Sequence, residues 1–93
     1  MWKELNYEYE LFLDDMKRGE TVCRYLNEDE YEDEYSHNEI GEYQRKFIEK
    51  VSEYLRQYSP GKYVVTSGWC VFVMTVEEAR KRNMIMIEEY IIK

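Results

Sequence analysis

The sequence has little of the chemistry that catalysis or metal binding requires. It contains one histidine, His37, which lies between Ser36 and Asn38. No local arrangement of a nucleophile, a base and an orienting acid accompanies it. We therefore interpret His37 as a surface residue at the start of a helix, and we predict a protein without enzymatic activity.

Cysteine is also scarce. The two that occur, Cys23 and Cys70, form no CxxC pair and have no histidine in register, so a zinc site is not expected. The acidic residues of segment 27–38 lack the glycine and the ligand order of a calcium loop. We expect no cofactor and no specific metal, and we interpret both cysteines as small buried thiols in a reducing cytosol.

Long apolar runs are missing too. No run approaches the 18 or so residues of a membrane span, and no charged-then-apolar leader opens the chain, which predicts neither a span nor a signal peptide. Twenty acids against thirteen bases give a net charge of −7. Because phosphate binding depends on Lys and Arg, this balance argues against nucleic acid as a direct partner. These features predict a cytoplasmic protein.

Basic residues are absent from one stretch of the chain. No Lys or Arg occurs between Arg24 and Arg45, whereas the remaining chain carries twelve acids and thirteen bases. The stretch holds eight acids, which are Glu28, Asp29, Glu30, Glu32, Asp33, Glu34, Glu39 and Glu42. One face or end of the protein should therefore be strongly negative if this stretch folds back onto the body.

The length of 93 residues allows one domain, residues 1–93, with a modest core. Ten Tyr and two Trp favour a folded chain, because aromatic side chains bury large areas. At the start of the chain, apolar residues recur at helical spacing up to Met16 and end at Gly19. An alternating strand pattern also fits there, but we favour the helix.

The remaining segments predict further helices and strands. Residues 20–26 are typical of a short strand, and Ser36 opens a capping box before a long helix that ends at Pro60. Residues 62–67 and 69–75 indicate a hairpin or one bent strand, a short helix follows Thr75, and residues 84–92 predict a last strand. The predicted fold class is α+β: a small, mainly antiparallel sheet of 3–4 strands with one long helix packed on it, plus N-terminal and short C-terminal helices.

The acidic segment, residues 27–38, is predicted to be a loop or a sheet edge. A helix there would place like charges four residues apart, so extended or irregular backbone is favoured. If it is extended, Glu28, Glu30, Glu32 and Glu34 point one way at intervals of about 6.6 Å, twice the rise per strand residue. That spacing is of similar scale to the phosphates along a nucleic-acid strand.

Two tyrosines, Tyr31 and Tyr35, interrupt the carboxylates where no apolar periodicity requires them. They are either contact residues for a partner or anchors that hold the segment to the body. The predicted partner-binding residues are Glu28, Asp29, Glu30, Tyr31, Glu32, Asp33, Glu34 and Tyr35, with Glu39 and Glu42 extending the negative face.

In size, charge and aromatic content, with residues 28–34 as local support, the chain resembles the small acidic inhibitors made by phages. These are anti-restriction DNA mimics and some anti-CRISPR proteins. The resemblance implies a protein that occupies the basic DNA- or RNA-binding surface of a host nuclease or nucleoid protein, in the cytoplasm of an infected bacterium.

Two other classes stay open. One is an antitoxin or adaptor that binds a single basic protein without imitating nucleic acid. The other is a structural homo-oligomer with a solubilising acidic loop, in which the predicted strand 84–92 pairs across a two-fold axis. The apolar end of the chain leads us to expect a homodimer.

Overall fold

The computed structural model describes residues 2–93, with Trp2 described only through its backbone, and these residues form five helices and three strands. The elements are α1 (Trp2–Arg18), β1 (Val22–Tyr25), α2 (Glu28–Tyr31), α3 (His37–Tyr58), β2 (Tyr63–Thr66), β3 (Val71–Thr75), α4 (Val76–Lys81) and α5 (Ile87–Tyr90). The α+β fold class is confirmed, and the long helix packs on the sheet as predicted.

The three strands form an antiparallel sheet in the order β1-β3-β2. Strands β2 and β3 form a hairpin rather than one bent strand, and Val65 pairs with Val73, which also pairs with Cys23. Because successive strand residues point to opposite faces, these three side chains share one face of the sheet. Val64 and Met74 belong to the other face.

Helices α1 and α3 cover the first face and form the main core with it. Phe12 from α1 and Phe47, Val51 and Leu55 from α3 are fully buried. The helical spacing of apolar residues in α3 predicts that Ile48 is buried with Val51 and Leu55, but its side chain is only half-buried. Aromatic residues recur along α3 at helical spacing, and the last of them, Tyr58, lies outside the core and is 62% exposed.

The helix ends follow local sequence signals. Gly19 ends α1 with φ of +71°, a conformation that glycine adopts without steric cost, and its N–H donates to the carbonyl of Met16. Ser36 and Glu39 form both hydrogen bonds of the predicted capping box at the start of α3. The Thr75 hydroxyl accepts from the N–H of Glu78 at the start of α4, as expected.

The predicted C-terminal strand, residues 84–92, is wrong. The segment turns through Met86, whose φ is +60°, into the short helix α5, and Ile91 alone makes an isolated bridge to Val64. Met84, Ile87 and Ile91 pack on the second sheet face, whereas Ile85 is 82% exposed. The homodimer was expected because this segment would pair as a strand. That reason no longer applies, and the homodimer stays a prediction.

Candidate acidic binding site

The acidic segment is not extended, so the predicted row of carboxylates at 6.6 Å intervals is wrong. Residues 28–31 form the helix α2, and the N–H groups of Glu32 and Tyr35 donate to the carbonyls of Glu28 and Tyr31, both at 2.9 Å. We call residues 28–34 the acidic turn. Its first four residues are helical, and Tyr31 and Tyr35, which stand four residues apart, both pack against the core and fold the segment back onto the body.

Tyr31 and Tyr35 anchor the acidic turn to the two long helices. The Tyr31 hydroxyl donates to Oε1 of Glu8 on α1 at 2.8 Å, and the Tyr35 ring lies edge-on to Tyr43 on α3 with centroids 5.2 Å apart. Both tyrosines are half-buried. Burial raises the pKa of both hydroxyls, and hydrogen bonding to Glu8 for Tyr31 and to Glu4 for Tyr35 raises it further, so both stay protonated donors at neutral pH. Of the two roles predicted for them, these contacts are those of anchors.

A second set of bonds joins the acidic turn to the loop between β2 and β3. The N–H of Glu28 donates to the carbonyl of Trp69 at 3.0 Å, and the Trp69 indole N–H donates to Oδ2 of Asp29 at 3.1 Å. The buried Gln44 on α3 donates to the carbonyl of Leu26 at 3.0 Å and to that of Trp69 at 3.4 Å. The turn is therefore held at both of its ends by the body of the domain.

The carboxylates at the start of the acidic turn are occupied within the protein. Glu28 is buried, and its Oε1 lies 2.5 Å from Nδ1 of His37, which is the surface residue expected at a helix start. Asp29 accepts from Trp69, and Glu30 accepts from the side chain of Asn27 at 3.3 Å.

The two predicted site residues on α3 also have internal partners. Glu39 belongs to the capping box, and Glu42 lies 2.6 Å from Arg45 and 4.0 Å from Lys46. A carboxylate that already pairs with a neighbouring base contributes less negative potential to a partner than an unpaired one. Arg45 and Lys46 therefore offset the charge of Glu42, whereas Glu39 bonds to a neutral N–H and keeps its negative charge.

Three adjacent carboxylates remain, those of Glu32, Asp33 and Glu34. All three are exposed, and within residues 2–93 none makes a hydrogen bond or an ion pair through its side chain. They lie on the bend that follows α2. The bend therefore presents three carboxylates without an internal partner, next to the exposed Asp29 and Glu30, which bond to neutral donors and keep their negative charge.

A cleft of about 210 Å³ opens beside this bend. Glu28, Glu32, Tyr35, His37, Ile40 and Trp69 are among its lining residues. Trp69 is 55% exposed. Sequence reasoning missed it, although a tryptophan next to Gly68 in a predicted hairpin turn is a signal that could have found it.

Sequence reasoning also missed Glu8, which is only 4% exposed. The signal was present, because Glu8 stands three residues after Leu5 and four before Phe12, within the apolar stripe of α1. Burial raises the pKa of this carboxyl, and the nearby Glu30 adds to the effect, whereas the Tyr31 hydrogen bond opposes it. Glu8 is a buried support of the acidic turn.

Cys23 and Cys70 are buried free thiols, and burial raises the pKa of both. Among residues 2–93, no three histidine, cysteine or carboxylate side chains are arranged to hold a metal ion. No helix in this part of the chain is long and apolar enough to cross a membrane. Comparison with protein-family models, curated proteins and solved structures found no match.

Proposed function

We propose that this protein is a non-catalytic binding protein that docks its acidic turn on the basic, nucleic-acid-binding surface of another protein. The observation that carries the proposal is the bend at Glu32, Asp33 and Glu34, whose three adjacent carboxylates are exposed and unpaired within the described chain. Surfaces that bind nucleic acid present Lys and Arg to phosphates, and clustered carboxylates are complementary to them.

The anchoring of the turn supports this proposal. A flexible acidic loop loses conformational entropy when it binds, whereas a turn held through Tyr31, Tyr35 and Trp69 is already ordered. Ordering an acidic segment also brings like charges together, which costs stability in the free protein. A partner with basic residues relieves this repulsion on binding.

The compact turn changes the kind of mimicry that we propose. A linear row would follow several phosphates of a strand, whereas a bend of three carboxylates occupies one local basic site. The protein then competes with nucleic acid for that site, as the phage inhibitors that it resembles would. We place its action in the cytoplasm of a bacterium, and the two buried free thiols fit a reducing compartment.

The same compact shape favours a second candidate, an adaptor or antitoxin that binds one basic site away from any nucleic acid. Competition separates the two functions. Duplex DNA or RNA displaces a mimic from its partner, whereas an adaptor stays bound. In both cases attraction should weaken with salt, because the Debye length falls from about 10 Å at 0.1 M to about 3 Å at 1 M.

The test is capture of proteins from a bacterial lysate on the immobilised protein at 0.1 M salt, followed by elution with duplex DNA, with RNA or with 1 M salt. The variant Glu32→Gln/Asp33→Asn/Glu34→Gln removes the three unpaired charges of the bend. We expect the wild type to capture a nucleic-acid-binding protein that DNA or RNA releases, and this variant to lose it.

The matched control is Glu53→Gln/Glu77→Gln/Glu89→Gln, which removes three exposed charges elsewhere. It should retain the partner. Equal loss in both variants would mean that only net charge matters, and retention in both would refute the acidic turn as the site. A partner that salt releases and nucleic acid does not would establish the adaptor.

A further inference from the structure

We infer that the cleft between the acidic turn and Trp69 receives an arginine side chain of the partner protein. This inference rests on the proposed function and names the chemistry that anchors the complex. It stands on three features of the cleft together: an exposed aromatic ring, two carboxylates of different burial, and an exposed histidine that pairs with the buried carboxylate.

The aromatic wall is the Trp69 indole. The indole N–H donates to Asp29 at 3.1 Å, and the backbone carbonyl of Trp69 accepts from the N–H of Glu28 and from the side chain of Gln44. These bonds fix the position of Trp69, although the residue is 55% exposed. Tryptophan is the aromatic side chain that attracts cations most strongly through its ring face. An exposed, held indole beside carboxylates is therefore suited to an organic cation.

The carboxylates are Glu28 and Glu32. The Glu28 side chain is only 10% exposed, and the exposed Glu32 also lines the cleft. A guanidinium carries five N–H donors in a planar fork, so it can bond to carboxylates while its face stacks on an aromatic ring. A lysine ammonium is a compact charge that does not stack in this way.

The internal occupant is His37. Its Nδ1 lies 2.5 Å from Oε1 of Glu28, yet its side chain is 85% exposed and can turn toward solvent without losing core contacts. The buried carboxylate thus pairs with an exposed side chain, which a guanidinium can replace at Glu28. The cleft volume of about 210 Å³ equals roughly seven water volumes, which is sufficient for the head and stem of one arginine.

The experiment follows the indole N–H signal of Trp69 in a nitrogen–proton NMR spectrum of the full chain, with Trp2→Phe identifying the second indole. The probes are N-acetyl-arginine amide, N-acetyl-lysine amide and the neutral N-acetyl-citrulline amide. We expect a saturable shift with arginine, at least threefold weaker binding of lysine, and no saturable shift with citrulline. Equal shifts with arginine and citrulline would overturn the inference.

Variants sharpen the test. Glu32→Gln should weaken arginine binding at least threefold, whereas Glu53→Gln, which removes one exposed charge outside the cleft, should change it less than twofold. His37→Gln should strengthen binding at least twofold, because the amide competes less well for Glu28. Unchanged or weaker binding in His37→Gln would show that the imidazole does not compete for the cleft and would overturn that step.

An error in the arginine-cleft inference can be distinguished from an error in the proposed function. If Asp33→Asn/Glu34→Gln abolishes lysate capture but Trp69→Ala does not, the acidic turn binds a partner without using the cleft, and this inference is wrong. If arginine binds the cleft and no nucleic-acid-binding partner is captured, the cleft chemistry holds and the proposed function is wrong.

Discussion

The hydrogen bond from Tyr31 to Glu8 supports the acidic turn, and Tyr31→Phe removes it while keeping the ring. Glu8 is 4% exposed, so its carboxylate loses a donor that water replaces poorly. A hydrogen bond to a charged group contributes about 1.5–3 kcal/mol. We expect the free energy of unfolding at pH 7 to fall by about 2 kcal/mol, which lowers Tm by roughly 8–16 °C for a domain of this size.

A double-mutant cycle with Glu8→Gln isolates the charge in this interaction. In the Glu8→Gln background the hydrogen bond joins two neutral groups and contributes about 0.5–1.5 kcal/mol. Tyr31→Phe should therefore cost about 1 kcal/mol less there than in the wild type. Urea unfolding followed by circular dichroism measures all four chains.

The pH dependence has a definite sign. Burial raises the pKa of Glu8 in the folded chain, so folding favours its protonated form. That stabilisation is fully present below the unfolded pKa, about 4.3, and is lost as the pH rises through the folded pKa. Glu8→Gln should remove this loss of stability at higher pH. Tyr31→Phe should lower the free energy of unfolding less at pH 4 than at pH 7. A change below about 0.5 kcal/mol in Tyr31→Phe at pH 7, or an equal cost at both pH values, would refute the reasoning.

Two further predictions concern the long helix. Leu55→Ala should lower the free energy of unfolding by about 2–5 kcal/mol, because Leu55 is fully buried between α3 and the sheet. The control Arg56→Ala changes an exposed neighbour and should alter the free energy of unfolding by less than about 0.5 kcal/mol, and equal effects would show that the buried face is misassigned. Ser36→Ala should cost about 0.5–2 kcal/mol in the same urea assay, because it removes the acceptor for the N–H of Glu39, and Ser36→Thr should retain most of the stability; no difference between the two would argue against the capping box.

The sequence by itself determined the features whose hydrogen bonds close within a few residues. Three such features were predicted correctly, and each acts over about one helical turn. They are the apolar spacing of α1 and α3, the capping box at Ser36, and Gly19 at the end of α1. The β2–β3 hairpin is similarly local, since its two strands are joined by residues 67–70.

Tertiary structure alone decided the form of the acidic turn. Like charges four residues apart predicted extended or irregular backbone, but that argument considers the segment in isolation. In the folded protein Tyr31 contacts Glu8, 23 residues away, and Tyr35 contacts Tyr43, and these contacts outweigh a few tenths of a kcal/mol of local repulsion. The helical turn then redirects the carboxylates, so that Glu28 turns inward while Glu32 stays outside.

Contacts between distant segments also explain the other differences between the predicted and the observed structure. Residues 84–92 carry an apolar run that fits a strand or a turn, and packing on the second sheet face selects the turn. Trp69 joins the site through hydrogen bonds across 40 residues to Asp29, which no local pattern contains. The charge of the site was therefore present in the sequence, whereas its shape, its cleft and its buried supports arise from contacts between segments that are distant along the chain.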